Sequence, residues 1–497
     1  MTLIQKNKTL AYKVAAILFL ILVNTINVKN PILEQHSFRQ TQTAISIFYL
    51  IKDGFTLSYI TPVIGQPYSI PFEFPIFHFI VGLLSKFLAV NLDVMGRLVS
   101  LIFSIGVLIV NDLVLKEIQV DKRARLFAFL LIIFSPVFLF WSGTFMIESA
   151  ALFFTVSSLL CAAKYFKQQR YLYLLCWLIF ANLAMLQKVT TALFPYIFGC
   201  FAILYASVAN KKIKAWRLLA LSLLLAIPIL LGYAWVLYTD VLKSANPIAL
   251  VKLTSSALSS WNYGTFAQRL SLDFWYFNLY LRAIAPTALF GIGIVASFFC
   301  FIDSRISKRI KCLIGGFFVL YSLPQLVFTN LFIVHNYYHY AVIIYLCNYI
   351  AISYEQLFRV CKKLSIFLVS ATCICSLIFF SREYRHPKFD HIPKSFRTLE
   401  ISYEVRKYTN AEDVFVLFGY DWSSEVAYYS ERKSLSVPEW YLERFDIDEL
   451  NRYLDKSPKM IVFCNNNNHR YDSFMTRMHG YELVKELHDC SLFRQRT

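Results

Sequence analysis

Long uninterrupted runs of apolar residues constrain this chain more than any other feature of its sequence. Examples cover residues 14–26, 98–115, 126–141, 218–237, 283–302 and 364–380. Several approach the ~20 residues that a helix needs to cross the hydrocarbon core of a bilayer. Because lipid offers no hydrogen bonds to a bare backbone, such runs have to be helical. With 57% hydrophobic and only 16% charged residues among 497, the chain does not fit an ordinary soluble protein.

The chain is also strongly basic, with a formal charge of +18. Its lysines and arginines lie between the apolar runs and not on one face of a soluble domain, which argues against nucleic-acid binding. The positive-inside rule instead makes basic clusters markers of the cytoplasmic side. The clusters are Lys6/Lys8/Lys13, Lys116/Lys122/Arg123/Arg125, Lys164/Lys167/Arg170, Lys211/Lys212/Lys214/Arg217, Arg305/Lys308/Arg309/Lys311 and Arg359/Lys362/Lys363.

Apolar runs and basic clusters together predict a polytopic α-helical membrane protein with about eleven transmembrane helices. The predicted spans are roughly 14–28, 94–115, 126–142, 147–163, 171–187, 190–208, 218–238, 283–302, 312–333, 338–356 and 364–381. A further apolar run, 74–90, is left out, because a span there would move every later basic cluster outside. Its Pro-rich start predicts a re-entrant or juxtamembrane helix within the first outer loop.

This topology places the N-terminus in the cytoplasm and the C-terminus outside. We predict a transmembrane domain, 1–381, whose first outer loop covers 29–92, and a soluble extracytoplasmic domain, 382–497. Nine of the 11 cysteines lie in or beside apolar runs and are read as packing residues.

The predicted soluble domain differs in composition from the rest of the chain. It has strand-like runs at Asp413–Phe418 and Lys459–Cys464, a helix-like stretch at Asp446–Leu454 and a loop at Asn465–Asn468, which predicts a small α/β domain. Its two cysteines, Cys464 and Cys490, could pair in an oxidising compartment.

The first outer loop contains a carboxylate, a histidine and an arginine within six positions. These are Glu34, His36 and Arg39, followed by Gln42, and Glu73 lies farther on, at the start of the predicted juxtamembrane helix. A carboxylate here could accept a proton from an acceptor hydroxyl or amine, and an arginine could hold a phosphate oxygen. The alternative is a solvated loop with an interfacial arginine.

A second group of candidates lies at the predicted outer ends of later spans: Glu148, Lys188, His335, Tyr337 and Tyr338. A charge near the hydrocarbon costs roughly 2.5–3.5 kcal/mol and usually has a functional reason. Glu148 either faces water at the interface or enters a cavity. Lys188 either snorkels to lipid phosphates or binds a substrate phosphate. The histidine and tyrosines either form an aromatic belt or contact phosphate or sugar.

All these candidates share the predicted outer face, near the membrane surface. That placement suits a site that takes an amphipathic lipid from the bilayer and a polar acceptor from water. The sequence contains no P-loop, H-E-x-x-H or dinucleotide fingerprint. We therefore expect no nucleotide cofactor, and we leave open a divalent cation at Glu148 and His335.

On these segments the chain resembles the membrane glycosyltransferases of the GT-C fold. The segments are Glu34–Ala44, Glu73-Phe74-Pro75, Glu148, Lys188 and His335-Asn336-Tyr337-Tyr338. The chain looks most like bacterial relatives of dolichyl-phosphate-mannose–protein mannosyltransferases and of the lipid A aminoarabinose transferase, and by layout the resemblance covers residues ~10–381.

The resemblance implies a hexosyl- or pentosyltransferase of the cytoplasmic (inner) membrane. Its donor would be a polyprenyl-phosphate sugar, and its acceptor a cell-envelope glycan, lipid or protein. Transfer would occur on the outer face with inversion at the anomeric carbon, and without a nucleotide sugar.

The resemblance also implies catalytic roles. An acid of the first outer loop acts as base or positions the acceptor, and a second acid, matched by Glu148, lies in the second outer loop. Relatives usually carry Asp-Glu at the start of the juxtamembrane helix, but spacing to Ala44 puts Arg39 and Gln40 there. The first-loop acid is then Glu34 or Glu73, or it is absent. The expected substrate-binding residues are His36, Arg39, Gln42, Lys188, His335, Tyr337 and Tyr338.

Two other functions fit a polytopic basic protein. A lipid or glycan transporter is expected to show internal repeats and ionisable residues at mid-membrane depth, and the sequence shows neither. A non-catalytic envelope assembly protein would keep the fold without the acids, and the missing Asp-Glu at 39–40 agrees with that alternative.

Overall fold

The structure is a computed structural model that describes residues 3–209, 214–389, 393–438, 441, 445, 450, 452–464 and 480–496. The first ten helices are α1 Leu3–Thr25, α2 Ser37–Asp53, α3 Ile76–Leu88, α4 Leu92–Glu117, α5 Lys122–Phe134, α6 Pro136–Trp141, α7 Glu148–Gln168, α8 Tyr171–Gln187, α9 Val189–Ala209 and α10 Ala215–Ser244. The next group is α11 Pro247–Lys252, α12 Ser259–Tyr263, α13 Phe266–Leu270, a π-helix Asp273–Ile284, α14 Ala285–Thr287, α15 Ile292–Ile302, α16 Lys308–Val327, α17 Thr329–Val334 and a 3₁₀ turn Asn336–Tyr338. The chain then continues through α18 His339–Val360, α19 Lys362–Glu383, α20 Arg385–Phe389, α21 Pro393–Tyr408, β1 Val414–Phe418, α22 Glu425–Ser430, β2 Lys433–Val437, β3 Met460–Cys464, β4 Tyr481–Leu487 and β5 Cys490–Gln495.

The chain packs into two compact units. The first, here called the helical unit, comprises Met1–Val28, Arg97–Trp235 and Ser259–Phe389. The second, here called the mixed unit, comprises Lys29–Gly96, Val236–Leu258 and Asp390–Thr497. The first outer loop and the C-terminal segment therefore belong to the same unit, whereas the predicted domain boundary at 381/382 stays a prediction.

Eight helices among the described residues are long and apolar enough to cross a membrane, and a bent pair would make nine. The polytopic α-helical architecture is thereby confirmed, and each predicted span coincides at least in part with a described helix. The count of eleven spans stays a prediction. The apolar run 74–90 contains the short apolar helix α3, and its re-entrant or juxtamembrane placement stays a prediction.

Three predicted spans are interrupted. The 312–333 span forms α16 and α17, which separate at Phe328. Residues 126–142 form α5 and α6, which separate at Ser135 before Pro136, because proline cannot donate the backbone hydrogen bond that would continue the helix. The 283–302 span crosses the 84° bend between the helical segments Asp273–Thr287 and Ile292–Ile302. Its break contains Leu289, Phe290 and Gly291 with positive φ, a conformation that ends a right-handed helix.

Helix α18 is the centre of the helical unit, and nearly its whole surface is buried. The Phe138 and Tyr340 rings stack 5.2 Å apart, and the Tyr340 hydroxyl lies 2.7 Å from Ser104 Oγ. The Asn111 and Asn348 amides donate to each other at 3.1 and 3.0 Å. Lipid tails are as apolar as the side chains, so close packing and such polar pairs hold membrane helices together.

Basic clusters from distant segments meet at one end of the helical unit, here called the basic face. Asp112 at the end of α4 accepts from Lys13 at 2.7 Å and from Arg125 at 2.6 Å. Nearby, Glu355 at the end of α18 pairs with Arg359 at 3.0 Å. Lys13, Arg125 and Arg359, which come from three of the predicted basic clusters, therefore lie at the same end of this unit.

The mixed unit contains a five-stranded sheet in the order β2-β1-β3-β5-β4. Strand β1 pairs in parallel with β2 and β3, whereas β5 is antiparallel to β3 and β4. The predicted small α/β domain is confirmed, with β1 and β3 at the two strand-like runs. Most of the helix-like stretch, 446–449 and 451, and the whole loop 465–468 lie outside the described residues.

The two tail cysteines are bonded to each other. Cys464 and Cys490 are paired across β3 and β5, and their sulfurs form a disulfide of 2.08 Å. This bond joins the central strand of the sheet to the β4–β5 hairpin.

The first outer loop is built into the C-terminal sheet. Ile64 bridges antiparallel to Leu435 of β2, and the backbone N–H groups of Ser434 and Ser436 donate to the carbonyls of Pro62 and Val63 at 3.0 and 2.6 Å. This contact covers the β2 edge, which would otherwise expose unpaired backbone groups.

Asn246 fixes the same loop from the start of α11. Its side-chain amide donates to the carbonyls of Ile64, Gly65 and Pro67 at 3.3, 3.1 and 3.3 Å. Its carbonyl oxygen caps α11 by accepting from two backbone N–H groups at 2.9 Å each. One buried side chain therefore connects the 236–258 segment to the first outer loop.

We expect Asn246→Ala to destabilise the mixed unit by roughly 1–3 kcal/mol, because buried carbonyls and a helix cap lose their partner. Thermal unfolding in detergent and the rate of tryptic cleavage within 29–96 report the loss. Ser244→Ala, at an exposed neighbouring position, is the control. Equal stability of the two variants would contradict this role for Asn246.

Candidate functional site

Lys188 lies in a one-residue break between two helices. Helix α8 ends at Gln187 and α9 begins at Val189, while Lys188 itself is extended, with φ −165° and ψ 102°. Its N–H still donates to Ala184 at 2.9 Å, and its carbonyl accepts from Thr191 at 3.2 Å. Both backbone groups of Lys188 therefore keep a partner at the break, which directs a buried lysine side chain inward.

Glu148 is the partner of Lys188. It is the first residue of α7, where the positive end of the helix dipole stabilises a carboxylate. Because only two residues connect α7 to α8, the end of α8 returns to the level at which α7 begins. Lys188 Nζ donates to Glu148 Oε1 in a buried ion pair. Glu148 Oε2 has no hydrogen-bond partner in the described part of the chain.

Aromatic rings cover this ion pair. The Lys188 ammonium lies 4.4 Å from the centre of the Tyr338 ring and 5.2 Å from that of Tyr337, within the range of cation–π attraction. His335 stacks on Tyr337 at 5.2 Å, and Trp141 meets Tyr337 edge-on at 5.8 Å. The predicted candidates Glu148, Lys188, His335, Tyr337 and Tyr338 thus form one cluster, here called the Lys188 cluster.

The Lys188 cluster lies at the end of the helical unit opposite the basic face. Glu148 begins α7, whereas Lys167, in the last turn of the same helix, pairs with Glu117 at the end of α4 at 3.6 Å. Helix α18 likewise begins beside the Tyr337 and Tyr338 rings and ends near Glu355. The predicted separation of basic clusters from these candidates is therefore observed within this unit.

A second cluster of predicted candidates forms within the mixed unit, here called the Arg39 cluster. The Arg39 guanidinium donates to Glu73 Oε1 and to Gln42 Oε1, and it lies 5.8 Å from the centre of the Phe72 ring. Arg39 is in the first turn of α2, whereas Glu73 is in the segment before α3. The first outer loop thus folds back so that an acid and a base 34 positions apart meet.

Tyr59 and His78 support the Arg39 cluster. The Tyr59 hydroxyl donates to the Glu73 carbonyl at 2.9 Å and accepts from the Phe72 N–H at 2.8 Å. Its ring packs against the His78 ring in a tilted arrangement, with the ring centres 5.1 Å apart. Burial raises the pKa of Tyr59 and lowers the pKa of His78 to about 4. Both side chains are therefore neutral near pH 7.

Lys243 and Trp422 are members of the Arg39 cluster that the sequence analysis missed. The buried Lys243 ammonium lies 5.2 Å from the centre of the Phe72 ring, and Trp422 packs on that ring at 6.1 Å. Lys243 follows a long apolar run. A lysine at the end of a predicted span, where its side chain can snorkel, was the sequence signal that could have identified it. Trp422 comes from the C-terminal segment and had no signal of its own.

Glu34 and His36 precede α2. Glu34 is buried in the mixed unit and contributes to the raised pKa of Tyr429, which is caused mainly by burial and by Asp93. His36 has a positive φ of 51° at the N-cap of α2 and packs edge-on against Phe38 at 6.1 Å. Glu34 and Glu73 thus occupy different surroundings, and the choice between them as catalytic acid stays a prediction.

The described residues offer few groupings of metal-binding side chains. In the described ranges no three His, Cys, Asp or Glu side chains come together as metal ligands do. In the Lys188 cluster, Glu148 is held by a lysine, which competes with a cation for the carboxylate. The arrangement therefore does not fit the divalent cation that the sequence left open at Glu148 and His335.

Comparison with known proteins identifies the fold. A family model, dolichyl-phosphate-mannose-protein mannosyltransferase, matches residues 64–243, less than half of the chain. The structure is similar to the crystal structure of ArnT from Cupriavidus metallidurans bound to undecaprenyl phosphate. The TM-score is 0.64 at 10% identity, and the match covers 97% of each chain. This chain has the GT-C fold.

Two further GT-C structures agree. The archaeal oligosaccharyltransferase AglB from Archaeoglobus fulgidus, in complex with an inhibitory peptide and a dolichol-phosphate, matches with a TM-score of 0.54 at 12% identity, over 95% of this chain and 71% of AglB. Arabinofuranosyltransferase AftD from Mycobacteria matches with a TM-score of 0.58 at 10% identity, over 99% of this chain but only 40% of AftD. No curated protein matches the chain in sequence. At these identities the likeness establishes the GT-C fold and not the reaction.

We expect the buried Lys188–Glu148 pair to show strong coupling. Lys188→Met or Glu148→Gln alone leaves the partner charge or its hydrogen bonds uncompensated and should cost about 3–5 kcal/mol, whereas the double variant should cost less than the sum. Thermal unfolding in detergent measures this cycle. The more exposed Lys52–Glu412 pair, at 2.7 Å, is the control and should contribute about 0–1 kcal/mol. Additive effects at Lys188 and Glu148 would contradict the pairing.

Proposed function

We propose that the chain is a membrane glycosyltransferase that uses a polyprenyl-phosphate-linked sugar. The acceptor would be a cell-envelope glycan, lipid or protein at the outer face of the cytoplasmic membrane. The observation that carries the proposal is the buried Lys188–Glu148 pair under Tyr337 and Tyr338, at the end of the helical unit away from the basic face. A buried cation beside aromatic rings suits a lipid phosphate and its sugar. The lipid phosphates named with ArnT and AglB support this substrate class.

Lys188 is proposed to bind the donor phosphate. In a buried site a fixed ammonium stabilises the negative charge that grows on the phosphate oxygen as the bond to the sugar breaks. Glu148 Oε1 holds the ammonium in place, so the cation needs little reorganisation when charge develops. Tyr338 and His335 provide ring faces and polar edges for the sugar.

A first-loop carboxylate is proposed to accept the acceptor proton. The acceptor oxygen or nitrogen attacks the anomeric carbon of the donor sugar. The bond between that carbon and the polyprenyl phosphate breaks, and the carboxylate takes the proton from the acceptor. Attack on the face opposite the leaving phosphate inverts the configuration. Glu73 and Glu34 stay the two candidates. If Glu73 is the base, Arg39, which is bonded to it, orients the carboxylate.

This mechanism predicts that conservative changes block transfer. Glu34→Gln or Glu73→Gln, whichever is the base, should lower transfer about 10²–10⁴-fold. Glu148→Gln should also impair transfer, because Lys188 loses the carboxylate that holds it. Lys188→Met should lower transfer about 10²–10³-fold. The assay complements a deletion strain and measures the sugar content of surface glycans and the accumulation of lipid-linked sugar.

The matched controls are Glu355→Gln and Lys13→Met, which break ion pairs at the basic face and should leave transfer within about twofold. Purified protein in liposomes with the lipid extract of the deletion strain then separates transfer from transport, because only a transferase changes the lipid-linked sugar. If Glu34→Gln, Glu73→Gln and Glu148→Gln all keep full transfer, the assignment of catalytic roles to these carboxylates is wrong.

Sidedness is a separate prediction of the proposal. Alkaline phosphatase fused after Phe389 should be active, since the tail would be outside, whereas fusion after Gln169, in the connection at the basic face, should be inactive. Immunoblots at matched expression are the control. Activity at Gln169 with none at Phe389 would put the Lys188 cluster on the cytoplasmic side and remove the proposed site.

A further inference from the structure

An apolar groove opens in the helical unit at the basic face. Its volume is about 490 Å³, within the range of small-ligand sites. Helices α4, α7, α9 and α16 form its walls, and all four are among the candidate spans. The lining is largely aliphatic and aromatic, and small residues such as Ala163, Ala202 and Gly316 leave the space. An apolar groove in a membrane-spanning unit suits a lipid chain.

The mouth of the groove is charged. Lys167 and Arg309 line it, together with Glu117. Glu117 pairs with Lys167 at 3.6 Å, and Arg309 donates to the Ile118 carbonyl. Two cations and one carboxylate leave an excess positive charge, and the side chains of Lys167 and Arg309 are exposed. Basic sites between membrane helices bind anionic lipid head groups.

The depth of the groove matches one leaflet. Its lining on α16 runs from Arg309 to Leu320, which at 1.5 Å per residue is roughly 16 Å. Half of the hydrocarbon core of a bilayer is about 15 Å. A phospholipid of the leaflet at the basic face would therefore place its phosphate between Lys167 and Arg309 and one acyl chain along α16.

The donor lipid of the proposed reaction fits this groove less well. Lys188 and Ala202 are separated along α9 by roughly 21 Å of helix, and they lie toward opposite ends of it. A polyprenyl chain whose phosphate is at Lys188 would reach the groove with its apolar end, and the cations at the mouth would have no anion.

From the groove, its charged mouth and its depth, we propose that the protein carries a binding site for one anionic diacyl phospholipid between α4, α7, α9 and α16 at the basic face. The site is independent of the proposed glycosyl transfer, because none of the Lys188 or Arg39 cluster residues lines it.

Native mass spectrometry of the full chain tests this proposal. The protein is released from nanodiscs that contain equal amounts of phosphatidylglycerol and phosphatidylcholine with identical acyl chains. Wild type should retain one phosphatidylglycerol. Lys167→Ala/Arg309→Ala should bind it about tenfold or more weakly. The control Lys308→Ala/Lys311→Ala also removes two positive charges near the groove, at the start of α16. Neither lysine lines the groove, so this control should change lipid retention less than about twofold.

A second variant tests the groove itself. Ala202→Leu/Gly316→Leu fills the space but keeps both cations, and it should lose the retained lipid. Three outcomes would overturn the proposal: wild type retains phosphatidylcholine as well as phosphatidylglycerol, it retains no lipid, or the charge variant and its control lose phosphatidylglycerol equally. So would displacement of phosphatidylglycerol by equimolar undecaprenyl phosphate. The competition of phosphatidylglycerol with phosphatidylcholine and with undecaprenyl phosphate uses wild type only, so it tests the proposal even if a variant fails to fold.

Discussion

Every backbone group that leaves a helix inside an apolar unit needs a partner from the protein, and this constraint governs the candidate site. The break at Lys188 is allowed because its N–H and carbonyl keep bonds to the helices on either side. This one-residue interruption turns a side chain out of the helical pattern while both backbone groups of that residue stay hydrogen-bonded. The inward lysine then needs a counter-charge, which Glu148 supplies from the start of α7.

In the mixed unit the first outer loop, 29–92, is long and polar and has to be held in place by other segments. The loop gains a strand partner at β2 and an anchor at Asn246, and helix α2 packs on α22 through Thr41 and Ser424, whose hydroxyl oxygens are 2.8 Å apart. The C-terminal segment therefore acts as a support for the helix that carries Arg39 and Gln42. In this arrangement a change in the tail can alter the Arg39 cluster without touching it.

Charge is distributed unequally between the ends of the helical unit. The basic face combines several arginines and lysines with the few acids available, so that Asp112 and Glu355 each serve more than one cation. The opposite end holds one buried pair under aromatic rings. The first arrangement suits interaction with anionic head groups, and the second suits a single phosphate bound with precise geometry.

Hydropathy and isolated charges in apolar runs are local signals. They were enough to predict the membrane class, the GT-C resemblance, the α/β tail, the Lys188 cluster candidates, and Arg39, Gln42 and Glu73 of the Arg39 cluster. The helix starting near Glu148, the break at Lys188 and the strand at 414–418 needed no long-range information. Tertiary structure alone decided that Arg39 meets Glu73, that Lys243 and Trp422 join them, and that the first loop pairs with β2. It also decided the Cys464–Cys490 bond. These features depend on which distant segments become neighbours, and pairing across tens or hundreds of residues leaves no periodic trace in one sequence.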